Sequence, residues 1–294
     1  MSRPQNAAKT ALLLCLLCAC GCSELRARQR AREGNDHFQA GDYGAAIAAY
    51  AASEELHPLP VVALNKGLAC RHLLTPGVKN AENERAAECA LQSFKRLKEL
   101  SPTDARADQL YQQTLFDADR FEQLEQLYRQ QLARSANDPA AINALIQVYS
   151  RWGRWDDALR WVEERAKQRP NDAEAHYSVG VFIYNRLFEK GGGTDKATFD
   201  PRPTQTPKPA PSFEKEDITG ARRAELAERG IQQLKRAVEL RPGYADALTY
   251  LGLLYRQKSF AYFEDAAAWQ QAVETADAFR QKAMAAHAEH ATKR

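Results

Sequence analysis

Apolar residues recur three and four positions apart through most of this chain, the spacing that lines one face of a helix. The helical stretches come in pairs, about every 34 residues. The clearest pair runs from Glu33 to Pro58. Gly34 and Ala46 are small enough for two helices to approach, Tyr43 and Tyr50 fill the seam, Gly41-Asp42 makes the turn, and Pro58 ends the second helix. A second pair begins near Pro60, with Gly67 and Leu68 in its first helix and Ala90, Phe94, Leu97 and Leu100 in its second, and Leu74 to Arg85 predicted as a long connection. A third, about Ala105–Asp138, has Gln112 where the small residue is expected and is the faintest copy. The fourth carries Leu145, Tyr149, Gly153, Trp155, Ala158, Val162 and Pro170. The fifth starts with His176, Val179, Gly180 and Ile183, breaks off, and resumes with Gly230, Leu234, Ala237 and Pro242. The sixth has Leu248, Leu251, Gly252 and Tyr255, then a second helix predicted from about Phe263.

This spelling of small, aromatic and proline positions resembles the tetratricopeptide repeat (TPR). One helix pair cannot bury its own apolar stripe, so neighbours must stack. The resemblance implies an all-α, right-handed superhelical solenoid of about six pairs over residues 20–292. It implies a binding surface rather than a catalytic centre, and fold alone names no ligand.

The break in the fifth copy changes composition abruptly. Gly191-Gly192-Gly193 opens it, and Pro201, Pro203, Pro207, Pro209 and Pro211 follow. Residues 191–218 are therefore expected to form a long disordered insertion joining two helices of one repeat, either a binding arm or a tolerated loop.

Residues 1–19 do not carry the repeat. Arg3 and Lys9 precede a short apolar run, Ala11 to Ala19, too short for a permanent span, as in a secretory signal peptide. Leu17-Cys18-Ala19-Cys20 resembles the lipobox of bacterial lipoproteins, which implies cleavage before Cys20 and acylation of its thiol (a palmitate-class modification). Cys22, after Gly21, is the runner-up. Ordinary secretory cleavage near Ala19 is the alternative. With neither Gly21 nor Ser23 acidic, the resemblance places the chain on the outer membrane, facing the periplasm.

Charge excludes one partner class. The chain holds 41 basic and 38 acidic residues, and only Arg3 and Lys9 are lost with the signal, so nothing draws it generally to nucleic acid. The run Arg26, Arg28, Arg30, Arg32 reads as the solvated face of the first helix or as a headgroup contact. Cys70 and Cys89 lie one on each helix of the second pair. An oxidising compartment permits a disulfide between them, and two buried thiols are the other reading.

No phosphate loop, nucleophile elbow or metal-binding histidine motif is present in the sequence, so no cofactor, metal or enzymatic activity is expected. In the resembled family the first helix of each pair lines the ligand groove. That implies Asn35, Phe38, Arg71, Arg151, Tyr177 and Tyr184 among the groove positions, with Asn35, Arg71, Arg151 and Tyr177 as partner-binding candidates. A carboxylate clamp known in the family would use Asn35, Asn65 and Arg106, but Ala31 and Leu110 break it. The expected function is a lipid-anchored scaffold or assembly factor holding protein partners of the envelope. A solute- or glycan-binding module and a pilotin-like factor for an outer-membrane secretin are the alternatives. Deleting Thr194–Glu214 is expected to leave the melting temperature unchanged, and a large fall would show that the segment packs on the body.

Overall fold

The computed structural model describes residues 23–190, 218, 220–262 and 265–292. The signal segment with Cys20 and Cys22, and the insertion apart from Ile218, lie outside the described residues. The helices run α1 (residues 23–39), α2 (Tyr43–Leu56), α3 (Pro60–Leu73), α4 (Ala81–Leu100), α5 (Ala105–Asp117), α6 (Phe121–Arg134), α7 (Pro139–Arg151), α8 (Trp155–Gln168), α9 (Ala173–Lys190), α10 (Gly220–Leu240), α11 (Ala245–Ser259) and α12 (Ala266–Thr292). Consecutive helices form six pairs, as the repeat predicts. The chain divides into two compact units, residues 1–129 and 130–294, with the division inside α6.

The turns inside three pairs share one hydrogen-bonding scheme. The amides of Asp42, Arg120 and Arg154 donate to the carbonyls of His37, Leu115 and Tyr149, at 2.9, 2.8 and 2.9 Å. This six-to-one bond ends a helix on a left-handed residue, here Gly41 (φ 78°), Asp119 (φ 54°) and Gly153 (φ 77°). An aromatic residue, Tyr43, Phe121 or Trp155, then opens the second helix. Between pairs, Asp104, Asp138 and Asp172, spaced 34 residues apart, cap the next first helix. Their carboxylates accept from the amides of Arg106, Ala140 and Glu174, which satisfies donors that a helix start leaves unpaired.

Within the pairs, small residues of the first helix face large side chains of the second. A Cβ added at Gly34 would stand 2.5 Å from Tyr50 Cε1, and one at Gly67 2.5 Å from Phe94 Cε1. Tyr50 and Phe94 are buried. The third pair solves the same seam with polarity, since Tyr128 Oη donates to Gln112 Oε1 at 3.1 Å.

Two sequence-based boundaries are corrected. The second connection is shorter than expected, because Asn80 caps α4 through the Asn83 amide (2.7 Å) and the helix begins at Ala81. Asn83 then holds residues 75–78 through bonds to the carbonyls of Thr75 and Val78. The second helix of the fifth pair begins at Gly220, just past the insertion expected to end about 218, whereas α12 begins at Ala266, after the expected start at about Phe263. Ile218 does not belong to the insertion as expected: it is buried in the same apolar core as Leu187 and Leu226, where an exposed isoleucine would forfeit its burial.

Cys70 of α3 and Cys89 of α4 are brought together, with Cα atoms 5.9 Å apart and their sulfurs in contact, within the reach of a disulfide. Gly67→Val is expected to lower the unfolding free energy by about 1–3 kcal/mol in urea titration. Adding Phe94→Leu should return part of that loss, and an unaffected single variant would mean the pair is not closed at this contact.

Candidate interaction site

The candidate groove residues divide between the two units. In the first, Asn35 is committed to the interior. Its Oδ1 accepts from Tyr50 Oη at 2.8 Å and from Asn65 Nδ2 at 3.0 Å, tying α1 to α2 and α3. Arg71 on α3 is similarly engaged, its Nη1 donating to Gln113 Oε1 (3.1 Å) and its Nη2 pairing with Asp117 Oδ2 (2.7 Å), both on α5. Only 18% of that arginine side chain is exposed. An ion pair this sheltered, backed by a second hydrogen bond to a different residue, gives more than a solvated surface pair. Asn35 and Arg71 thus sit in separate networks that join neighbouring helices. Arg106, the third residue of the family's clamp, pairs with Asp104 at the start of its own helix.

In the second unit Arg151 lies exposed in the last turn of α7, and an aromatic cluster gathers around Tyr177. Tyr177 on α9 packs edge-on to Tyr250 of α11, with ring centroids 5.7 Å apart, and tilts against Tyr244 at 5.0 Å. Tyr184, two turns further along α9, meets Tyr250 edge-on at 5.3 Å and stacks on Phe188 at 5.6 Å. Five aromatic side chains therefore make one row over α9 and α11. The spacing of 177, 184 and 188 keeps all three on one helix face. Edge-on and offset pairs at these distances each contribute about 0.5–1.5 kcal/mol beyond burial.

One end of the row is charged. Tyr244 Oη donates to Glu174 Oε2 at 2.5 Å. The Arg241 guanidinium covers the Tyr244 ring at 4.3 Å and reaches the same carboxylate at 3.4 Å. Burial pushes Tyr177 up to about 12, with Tyr250, Asp246 and Glu174 adding to it. Burial and the hydrogen bond to Glu174 also raise Tyr244, and burial raises Tyr184. Tyr177, Tyr184 and Tyr244 are thus held as neutral phenols, and the row, bordered by acid, offers apolar faces and hydroxyl groups together.

Tyr244 and Tyr250 were not anticipated from sequence as site residues. Tyr250 had a signal: like Tyr177, it stands two or three residues ahead of the small residue of its repeat (Gly252 and Gly180). Tyr244 had none, because it belongs to the connection between pairs and is buried by tertiary contacts. Among the described residues, no group of three or more metal-ligating side chains is assembled, and no helix is long and apolar enough to cross a membrane.

No family model matches the chain, and neither does any curated protein. Among solved structures it is similar to MamA (14% identity over 91% of this chain and 94% of that one, TM-score 0.28). It is also similar to MamA from Desulfovibrio magneticus RS-1 (14%, 90% and 96%, TM-score 0.28). A third is YrrB, described as a TPR protein with an unusual peptide-binding site (16%, 84% and 98%, TM-score 0.34). At these identities and scores the likeness carries no argument about the site.

An unfolded tyrosine ionises near pH ~10. Between there and the folded value of Tyr177, the native chain keeps a proton that the unfolded chain has lost. The stability held by this neutral phenol is therefore intact below about pH 10 and is lost as the pH rises through its folded value. The melting temperature of Tyr177→Phe is expected to fall less steeply above about pH 10 than that of the parent, and identical slopes would contradict the assignment.

Proposed function

We propose that this chain is a scaffold of the bacterial envelope, held to the membrane by an acyl chain on Cys20 and binding a segment of a partner protein over Tyr177, Tyr184 and Tyr250. The aromatic row carries the reading. Rigid rings with polar tips supply large contact area at little entropic cost, and such residues dominate binding energy at protein interfaces. Asn35 and Arg71 act in this reading as links within the stack, and Arg151 as an exposed contact beside the partner.

The anchor follows from the lipobox resemblance. Acyl chains contribute about 0.8 kcal/mol per buried methylene, and two or more on one cysteine hold a protein firmly. In an oxidising compartment the apposed Cys70 and Cys89 form a disulfide, worth about 3 kcal/mol for a loop of this size.

Crosslinking and capture from native membranes tests the scaffold. The parent should recover a defined protein partner, and Tyr177→Ala with Tyr184→Ala should reduce recovery about tenfold while the chain stays folded by circular dichroism. Unchanged recovery, or a bound small molecule in place of any protein, would remove this function. Labelled fatty acid should enter the parent but not Cys20→Ala. Label persisting in that variant moves the site to Cys22, and label in neither removes the anchor. The same preparation, kept free of reductant, should show no reaction of Cys70 or Cys89 with a thiol reagent.

A further inference from the structure

The two sulfurs that meet between α3 and α4 are not equally reachable. Cys70 on α3 is 0% exposed and belongs to the apolar cluster of Ala63, Phe94 and Leu97. Cys89 on α4 is only partly buried and forms part of the wall of an open recess of about 350 Å³. The rest of that wall is mostly polar. Glu54 comes from α2, Lys66 from α3, and Gln92, Ser93 and Arg96 from the next turns of α4.

Thiols and disulfides exchange when a thiolate attacks a sulfur, and access decides which sulfur is attacked. A reagent aimed at Cys70 would have to pass through the core, whereas one in the recess meets Cys89 directly. The volume falls within the range that holds small ligands. Both charges are represented on the rim, with Lys66 paired to Glu54 at 2.6 Å and Arg96 to Glu99 at 2.8 Å. A short peptide thiol, which carries carboxylate and ammonium groups together, matches such a rim in size and in charge.

We propose that Cys89 is the exchange sulfur of the Cys70–Cys89 bridge, taking a small peptide thiol from the recess as a mixed disulfide, with Cys70 acting from inside the fold. This rests on the bridge being formed. In the first step the Cys89 thiolate attacks the disulfide form of the peptide thiol. A bond forms between Cys89 Sγ and one peptide sulfur, the peptide disulfide breaks, and the other peptide thiol leaves and takes up a proton. Cys70 then loses its proton to water and attacks Cys89 Sγ, and the second peptide thiol leaves. Two protein thiols are oxidised to one disulfide while one peptide disulfide is reduced to two thiols. Opening runs the same steps backwards, with Cys70 as the leaving group.

The test follows oxidation of the reduced full chain by glutathione disulfide, quenched with acid and read by mass spectrometry of the peptides carrying residues 70 and 89. Cys70→Ala should gain a glutathionyl group at Cys89 about tenfold faster, or more, than Cys89→Ala gains one at Cys70. The two rates should converge in concentrated urea, where the fold no longer hides either sulfur. Gln92→Trp, an exposed substitution in the recess wall, should slow the reaction of the folded Cys70→Ala chain about tenfold and leave the rate in urea unchanged. The parent covers the case in which Cys70→Ala misfolds: the mixed disulfide trapped while its bridge closes should carry glutathione on Cys89. Equal rates in the folded variants, glutathione trapped on Cys70, or a rate indifferent to Gln92→Trp would overturn the proposal and leave the bridge standing. Free thiols at both positions in a chain isolated without reductant would remove the bridge, and the proposal with it.

Discussion

The contact on which the structure depends is the one between a small residue on the first helix of a pair and a large side chain on the second. Gly34 under Tyr50, Gly67 under Phe94 and Gly180 under Leu234 each remove the atoms that would hold two helices apart. Close approach lets the apolar stripes merge, and the merged stripe of one pair becomes the floor for the next. Caps and turns serve this contact: Asp104, Asp138 and Asp172 set where each pair begins, and the left-handed residues at 41, 119 and 153 set where it folds back.

Much of this was legible in the sequence, because the residues concerned are chemically narrow choices. Glycine at a close approach, an aromatic after a turn and proline after a helix are each spelled in a few letters. The third pair was faint for a physical reason that the structure supplies twice. Asp119 takes the left-handed turn that glycine takes elsewhere, and Gln112 closes the seam by accepting a hydrogen bond from Tyr128. Both preserve geometry while changing the letters. The start of α4 and the burial of Ile218 were missed for another reason. Asn80 starts a helix through its side chain, and Ile218 is drawn inward by the core it meets, neither of which periodicity registers.

The candidate site was legible only in part. Tyr177 and Tyr184 follow from their place on a first helix. Asn35 and Arg71 occupy comparable places, yet Asn35 Oδ1 and the two terminal nitrogens of Arg71 are bonded to Tyr50, Asn65, Gln113 and Asp117. Position in the repeat says which residues face the groove side. It does not say which polar groups have already found partners, since those come from neighbouring repeats at distances along the chain that no local pattern encodes.

Tyr244 gives the aromatic row a consequence beyond contact. Its ring touches Tyr177 and its hydroxyl binds Glu174, both near the start of α9, while its own backbone leads into α11. One side chain therefore pins the entrances of two successive first helices to each other. A ligand that immobilises Tyr177 restrains the point from which the last pair departs. The start of α11 is thereby set by a residue outside both helices, so the row and the departure of the last pair share one fixed point.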